Sequence, residues 1–330
     1  MMTERSSVNG SIGPAPLLSI VAPVFRSDTI VPEFVRRACA GAAKVTDDFE
    51  LLLVEDGSPD NSWSAIVHEC DRDPRVKGLQ LSRNFGQHPA ITAGLAHARG
   101  EYIVVMDSDL QDDPVYIPEL YRKALEGFDI VFARKRIRRF GLLRNLTTRL
   151  YYAIFRWLAS VDYDQHIGAY SLITRRVVDA FLQFGDYRRG YVIVLGWLGF
   201  RRSHVDVEHR DRPVGRSSYS TWGLVAHAIT IALAYSDKPL RMSIYFGLGL
   251  STLSFLLGIL LAIWYFTSNV GQLALGWTSI IITNLFLSGL LLTSLGVVGL
   301  YIGRIFEQVK QRPIFVVRET RNVGVVRSEC

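Results

Sequence analysis

Cysteine is scarce. Cys39, Cys70 and Cys330 are scattered through 330 residues, with no Cys-x-x-Cys spacing and no even number to pair. That excludes a disulfide framework and a zinc ribbon, and points to a reducing compartment. Glycine-based nucleotide fingerprints are also missing. No Gly-x-Gly-x-x-Gly follows the first apolar run, and Gly-x-x-x-x-Gly-Lys-Ser/Thr occurs nowhere. A nicotinamide dinucleotide fold and a P-loop nucleotidase both lose their signature. Residues 1–16 have no basic start, no long apolar run and no cleavage pattern of a secretory signal, and read as a disordered leader. Charge itself is absent from one long stretch. Between Met242 and Gly303 there are 62 consecutive residues without Asp, Glu, Lys, Arg or His.

A hydrocarbon core of about 30 Å takes roughly 20 helical residues. The uncharged stretch therefore accommodates two membrane spans, about 242–267 and 277–303, around a turn holding Asn269, Gly271 and Gln272. Lys238 and Arg241 precede the first span, Arg304, Lys310, Arg312 and Arg318 follow the second, and the turn carries no charge. The positive-inside rule then places both ends of the chain in the cytoplasm, as a two-span protein of the inner membrane. Gly299 and Gly303 form a Gly-x-x-x-Gly near the end of the second span, a pattern for close helix packing within a chain or between copies in a homo-oligomer.

Over the full chain, 49% hydrophobic and 21% charged residues with a net charge of +6 exclude wholesale disorder. Apolar runs rich in Val, Ile and Leu occur at 17–24, 50–55, 76–81, 102–107 and 129–133, with helical patterns between them such as 30–43 and 87–99. This β-α alternation implies a mainly parallel sheet covered on both faces. In such sheets ligands bind beyond the carboxyl ends of the strands. Residues 134–156 then carry eight Lys/Arg and no acid, with Leu143, Leu146, Leu150, Ile154 and Phe155 at helical spacing. The segment reads either as a solvated basic helix or as one facing lipid headgroups or a phosphate-bearing substrate. Nucleic acid has no recognition motif to support it. Residues 216–238, with Trp222 and Tyr235, suit a helix in the membrane plane, and 314–317 a further strand.

The chemistry sits just after the runs. Val104-Val105-Met106-Asp107-Ser108-Asp109-Leu110-Gln111-Asp112 ends an apolar strand in Asp-x-Asp. Two carboxylates and a nearby amide oxygen make a hard oxygen site for Mg²⁺ or Mn²⁺, with substrate phosphates completing the shell; alone, the same acids are common in solvated loops. Leu53-Val54-Glu55-Asp56-Gly57-Ser58-Pro59-Asp60 ends another strand in acids. An acid there can hydrogen-bond a ribose or a base edge. Ser58 and Asp60 also suit a plain turn and helix N-cap.

The order Ile20-Val21-Ala22-Pro23, Val54-Glu55-Asp56-Gly57-Ser58, Leu81-Ser82-Arg83-Asn84-Phe85-Gly86, Asp107-Ser108-Asp109-Leu110-Gln111-Asp112 resembles family 2 glycosyltransferases of the GT-A fold. Within these it resembles the polyprenyl-phosphate branch, the dolichol-phosphate-mannose-synthase and bactoprenol-glucosyltransferase type. Gly215-Arg216-Ser217-Ser218-Tyr219 and Gly303-Arg304-Ile305-Phe306-Glu307-Gln308-Val309-Lys310 fit that branch too. The resemblance implies a GT-A, Rossmann-like α/β catalytic domain over 17–215, a juxtamembrane segment 216–240, a two-helix transmembrane hairpin over 241–303 and a cytoplasmic tail 304–330. It implies a nucleotide pocket lined by Pro23, Phe25, Glu55, Asp56 and Asp107, and a divalent metal on Asp107, Asp109 and Gln111. Lys135, Arg136, Arg210 and Arg212 are candidates for phosphate contacts.

Three positions depart from the family pattern. Arg26-Ser27 stand where Asn-Glu is common, Asp112-Asp113-Pro114 where Asp-Pro-Pro is usual, and Gly168-Ala169-Tyr170 where many relatives have Gly-Asp-Phe, whose Asp is a proposed base. Asp162 and Asp164 lie nearby in sequence. A hydroxyl acceptor needs a base. A phosphate monoester, with a second pKa near 6, is already a nucleophile at neutral pH. The expected reaction is therefore transfer of a sugar, UDP-glucose being the first choice of donor, to a polyprenyl phosphate with inversion. A hydroxyl acceptor is the alternative, although Ala153 stands where the Gln-x-x-Arg-Trp of processive synthases would begin before Arg156-Trp157. The other is a non-catalytic membrane scaffold or sugar-nucleotide sensor on the same fold.

Overall fold

A computed structural model describes residues 15–135, 166–186, 189–208, 238–267 and 277–323. The chain divides into two compact units: residues 1–142, 162–217 and 313–330 form one, residues 143–161 and 218–312 the other. Arg136, Arg210 and Arg212, Asp162 and Asp164, Ala153 and Arg156-Trp157, most of the basic segment and the stretch 216–237 lie outside the described residues.

The first unit is built on one eight-stranded sheet: β1 (Leu18–Val24), β2 (Phe49–Glu55), β3 (Val76–Leu81), β4 (Tyr102–Val105), β5 (Ile130–Lys135), β6 (Ile167–Thr174), β7 (Arg202–Val207) and β8 (Val317–Arg321). Their order across the sheet is β7-β5-β6-β4-β1-β2-β3-β8. Helices α1 (Val31–Ala42), α2 (Ser62–Arg72), α3 (Gln87–His97) and α4 (Ile117–Leu125) connect the first five strands, and α5 (Arg175–Gln183) and α6 (Tyr191–Trp197) follow β6. The sheet is mixed. β1, β2, β3 and β4 pair in parallel, as do β5 and β7, but β6 runs antiparallel to β4 and β5, and β8 antiparallel to β3.

The centre reads as the sequence pattern requires. Every residue of β2 is buried, and β1 is buried except at Pro23, because helices cover both faces. One buried cluster packs Phe34, Ala38, Ile66 and Leu120 with inward residues of β1, β2 and β4. The other packs Ala90, Ile91, Phe181 and Tyr191 on the opposite face. α3 lies close to β1: a side chain at Gly94 would run into the Val21 methyl groups. The expected strand 102–107 pairs only to Val105, although Met106 N–H still donates to Val21 C=O at 3.1 Å. Asp107 is thereby the first residue released from the ladder. The tail strand begins at Val317, three residues later than the 314–317 run predicts.

The second unit contains two long helices, α7 (Lys238–Thr267) and α8 (Trp277–Val309). Among the described residues, one helical segment, Phe286–Val309, is long and apolar enough to cross a membrane. α7 nonetheless exposes Ile244, Tyr245, Phe246, Leu248 and Leu260, and α8 exposes Leu291, Leu292, Leu295 and Ile302. Side chains built at Gly299 and Gly303 would meet nothing within 4 Å, so the Gly-x-x-x-Gly pattern packs against no neighbour among the described residues.

Candidate active site

The carboxyl ends of β1, β2 and β4 and the loop after β3 enclose a cleft of about 360 Å³, within the size range of small-molecule sites. Pro23, Phe25, Ser27, Asp56, Asn84, Gly86, Gln87, Asp107, Ser108 and Asp109 line it. Two slightly larger hollows, of about 440 and 400 Å³, lie around Arg175 at the opposite ends of the central strands. Their chemistry is structural: Arg175 donates to the Ala98 and Gly100 carbonyls, and Asp129 is paired with Arg176. The cleft, not these hollows, occupies the position where strand ends present side chains to a ligand.

Of the residues expected to act, Pro23, Phe25, Asp56, Asp107 and Asp109 share the cleft. Glu55 is buried beneath it, 1% exposed, and is not part of the lining. Its Oε1 accepts the Ser58 N–H, while Oε2 is buried with no partner among the described residues. Burial raises the Glu55 carboxyl above its ordinary range, opposed by the hydrogen bond from Ser58 N–H. Asp56 accepts Phe85 N–H at 2.7 Å and Gly86 N–H at 2.9 Å, one on each oxygen. Both oxygens therefore hold the 82–87 loop against the cleft. Gly57, at φ +60°, packs so tightly on this loop that an added Cβ would overlap the Arg83 and Asn84 backbone.

Sequence reasoning missed the cross-link between the first two loops. Asp60 does not simply cap α2. Its Oδ1 accepts Ser58 Oγ–H at 2.5 Å and Ser62 Oγ–H at 2.7 Å. Those hydroxyl oxygens in turn accept Arg26 N–H at 2.8 Å and Ser27 N–H at 3.0 Å. One carboxylate thus sets the β1–α1 loop that carries Phe25. Arg26 adopts φ +51°, an uncommon conformation for a side chain of its size, and its guanidinium lies 5.4 Å from the Phe25 ring. The Arg26-Ser27 departure is accommodated, since Ser27 is buried and hydrogen-bonded at both its nitrogen and its hydroxyl.

Gln87 is a second residue the sequence reading passed over. At the first turn of α3, its Nε2 donates to Asp107 Oδ1 at 2.6 Å and fixes that carboxylate. Ser108 Oγ–H donates to Pro23 C=O at 2.8 Å, and Asp109 Oδ1 accepts Gln111 N–H at 3.1 Å. Leu110 takes φ +62° to turn the chain there. Gln111 is absent from the cleft lining. The strand-end rule, applied to the third run, extends from the Asn84 and Gly86 of the family motif to Gln87, because all three follow β3 as the acids follow β2 and β4.

Asp112 is held under the Asp107-x-Asp109 turn, accepting Asp107 N–H at 3.3 Å. Burial first, and the Asp107 charge second, push its carboxyl from 3.8 up to about 7, against the opposing pull of Lys135. A folded-state value above the unfolded one means that the unfolded chain holds fewer protons through this window. Stability is therefore expected to fall as pH rises from about 4 to 7, by up to about 4 kcal/mol from this group. Asp112→Asn should abolish that fall, leaving a variant more stable than the parent at pH 8 and equal to it at pH 3. Melting curves in EDTA check this; identical pH profiles for the two proteins contradict it.

On β6, Tyr170 is buried and its hydroxyl donates to Asp113 C=O at 3.0 Å, tying this strand to the turn after the acids. Ala169 stands on β6 and is partly buried against the second core cluster. Lys135 closes β5, its side chain beside Gly168.

Residues 19–178, which contain the cleft, match the model of the glycosyl transferase family 2. The chain is 33% identical over 308 residues to the glycosyltransferase YkcC of Bacillus subtilis, covering 92% of this chain and 94% of that one. It is 32% identical over 304 residues to the SfII prophage-derived bactoprenol glucosyl transferase of Shigella flexneri, covering 92% and 98%. Among solved structures, glucosyl-3-phosphoglycerate synthase of Mycobacterium tuberculosis superposes with a TM-score of 0.46 at 17% identity, over 67% of this chain and 80% of that one. Matches of this length and identity establish the chain as a family 2 glycosyltransferase, whose α/β unit holds a cleft with paired carboxylates at a strand end.

Proposed function

We propose that this glycosyltransferase moves a sugar, glucose from UDP-glucose in the first instance, onto the phosphate of a polyprenyl lipid. The observation that carries the reading is the pair Asp107 and Asp109 at the mouth of one cleft. Their oxygens suit Mg²⁺ or Mn²⁺, and among the described residues no third His, Cys, Asp or Glu converges on them. A cation held by so few protein ligands keeps positions open for substrate phosphates, as Mg²⁺ sites on nucleotides do. When bound, it supplies positive charge opposite the departing nucleoside diphosphate.

The chain's own residues do the rest. Gln87 orients Asp107, Asp56 holds the loop amides that border the cleft, and the Asp60 hub sets Phe25 for the nucleoside. Glu55 supports the turn beneath, and Gln111 completes the proposed metal loop. Lys135, with Arg136, Arg210 and Arg212, is proposed to receive the lipid phosphate. Ala169 supplies no base, and a phosphate dianion needs none, which favours a phosphate over a hydroxyl acceptor. Several relatives are bactoprenol glucosyl transferases, which supports the same sugar and lipid class.

Membrane attachment by two spans, α7 and α8, with both termini and the catalytic unit in the cytoplasm, is part of the proposal. The 62 uncharged residues, the apolar side chains exposed on both helices and the flanking cations support it. Such anchoring places a soluble donor beside a lipid acceptor, a gain in proximity. The Gly299 and Gly303 face is open for a second copy of the chain.

The test is transfer into the organic phase. Purified protein, undecaprenyl phosphate and a panel of labelled sugar nucleotides are incubated with Mg²⁺ or Mn²⁺, with and without EDTA. The expected result is acid-labile labelled lipid, strongest from UDP-glucose and lost in EDTA. Protein that binds nucleotide yet labels no lipid with any donor overturns the reading, in favour of a hydroxyl acceptor or a non-catalytic sensor.

A further inference from the structure

We propose that residues 313–323, which follow α8 in the chain, are a positioning element of the donor cleft, acting through the 82–87 loop. The inference takes the ligand's identity from the proposed function, whereas the mechanical link stands on contacts within the first unit.

β8 covers the edge of β3, pairing Gly78 with Arg321, Leu79 with Thr320 and Gln80 with Glu319, before the register shifts to bring Leu81 opposite Val317. Covering an edge would end there. The pairing instead continues past β3 into the loop, where Ser82 N–H donates to Val316 C=O at 2.8 Å. Phe315 and Val317 pack against the same buried cluster as Phe85, and Phe315 lies 6.5 Å from the His97 ring at the end of α3. The far end of the tail is anchored independently. Arg321 donates to Asp71 at 2.6 and 3.0 Å, and Asn322 Nδ2 donates to Cys70 C=O at 2.7 Å and Val76 C=O at 3.0 Å. Asn322 sits at φ +58°, a conformation Asn adopts readily.

The loop so gripped is the one that borders the cleft. Beyond Ser82, its Phe85 and Gly86 amides are on Asp56, its backbone rests on Gly57, and Gln87 holds Asp107. A short path therefore runs from Val316 through Ser82, and from Phe315 through the core cluster it shares with Phe85, to both acid-bearing strand ends. Releasing the tail would let the loop move from Asp56 without disturbing β1, β2 or β4.

Phe315→Ala in the full chain, in lipid nanodiscs, tests this by amide hydrogen exchange and donor kinetics. Exchange at Ser82, Phe85 and Gly86 is expected to rise about tenfold, the net worth of one hydrogen bond, while amides in β1 and β2 stay unchanged. The KM for the sugar nucleotide should rise by a similar factor with kcat unchanged, and Phe315→Tyr should restore both. Asn322→Ser, which frees only the far end and leaves the core intact, should raise the same exchange rates to a smaller degree. Faster exchange at Ser82 with Phe85, Gly86 and KM unmoved overturns the proposal and reduces the tail to an edge cover. If the parent shows no turnover with any sugar nucleotide, the donor reading fails, and exchange at Phe85 and Gly86 still decides the positioning role.

Discussion

Asp109→Asn is expected to leave no metal-dependent sugar transfer, a fall of at least about 10³-fold, while expression and membrane insertion are retained. Asn keeps an oxygen able to accept the Gln111 N–H, so the turn can form as before. What it loses is the negative charge facing the cleft. With so few carboxylates within reach of the proposed cation, neutralising one removes a large part of the site's attraction for it. Two measurements separate binding from chemistry: Mn²⁺ affinity by electron paramagnetic resonance, and lipid labelling at saturating donor. Both should fall together. Turnover near that of the parent would falsify the metal assignment.

Gly57→Ala should do comparable damage by a different route. The residue lies at φ +60°, and its missing side chain is what lets the Arg83–Asn84 backbone close over it. An alanine there meets the Arg83 Cα at 2.8 Å and the adjoining peptide closer still, and the obstacle is main chain that has no rotamer to change. The left-handed conformation alone costs about 1–2 kcal/mol with a Cβ, and displacement of the loop adds the Asp56 hydrogen bonds to Phe85 and Gly86. A loss of roughly 3–5 kcal/mol in the stability of the first unit is expected, together with donor binding too weak to saturate. Gly185→Ala, where an added Cβ meets nothing within 4 Å, is the control and should change stability by less than about 0.5 kcal/mol. Equal melting temperatures for the two variants would show that the loop tolerates a side chain at 57.

The residues that were legible in the sequence are those governed by local rules. The four central strands announce themselves as apolar runs because both faces are covered, and the strand-end rule points directly at Asp56, Asp107 and Asp109. Long-range pairing leaves no such trace. Nothing local in Ile167–Thr174 says that it will run antiparallel between β4 and β5, so a mainly parallel sheet was expected where a mixed one forms. Asp60 shows why a motif can be placed correctly and its role missed. Its position suits a helix cap, but through Ser58 and Ser62, and directly through the Asp28 N–H, it holds the β1–α1 loop more than thirty residues earlier. Glu55 carries the opposite lesson, since an acid at a strand end can point into the core instead of the cleft. Gln87 had no signal beyond its place after β3, because a single amide becomes informative only once Asp107 is seen beside it.

The pairing of β8 with β3 also sets a timetable for biosynthesis. Asp71 and Arg321, joined in the folded protein, are 250 residues apart in the chain. At roughly 5–20 residues per second, ribosomes need about 12–50 s to make that span. Throughout that interval the strand that β8 will cover is already made and has an unsatisfied row of amides and carbonyls. The uncharged stretch is synthesised within the same interval. The nascent domain is therefore most open to strand-to-strand misassociation while its apolar helices are emerging, and its sheet can be completed only once Val317–Arg321 has been made.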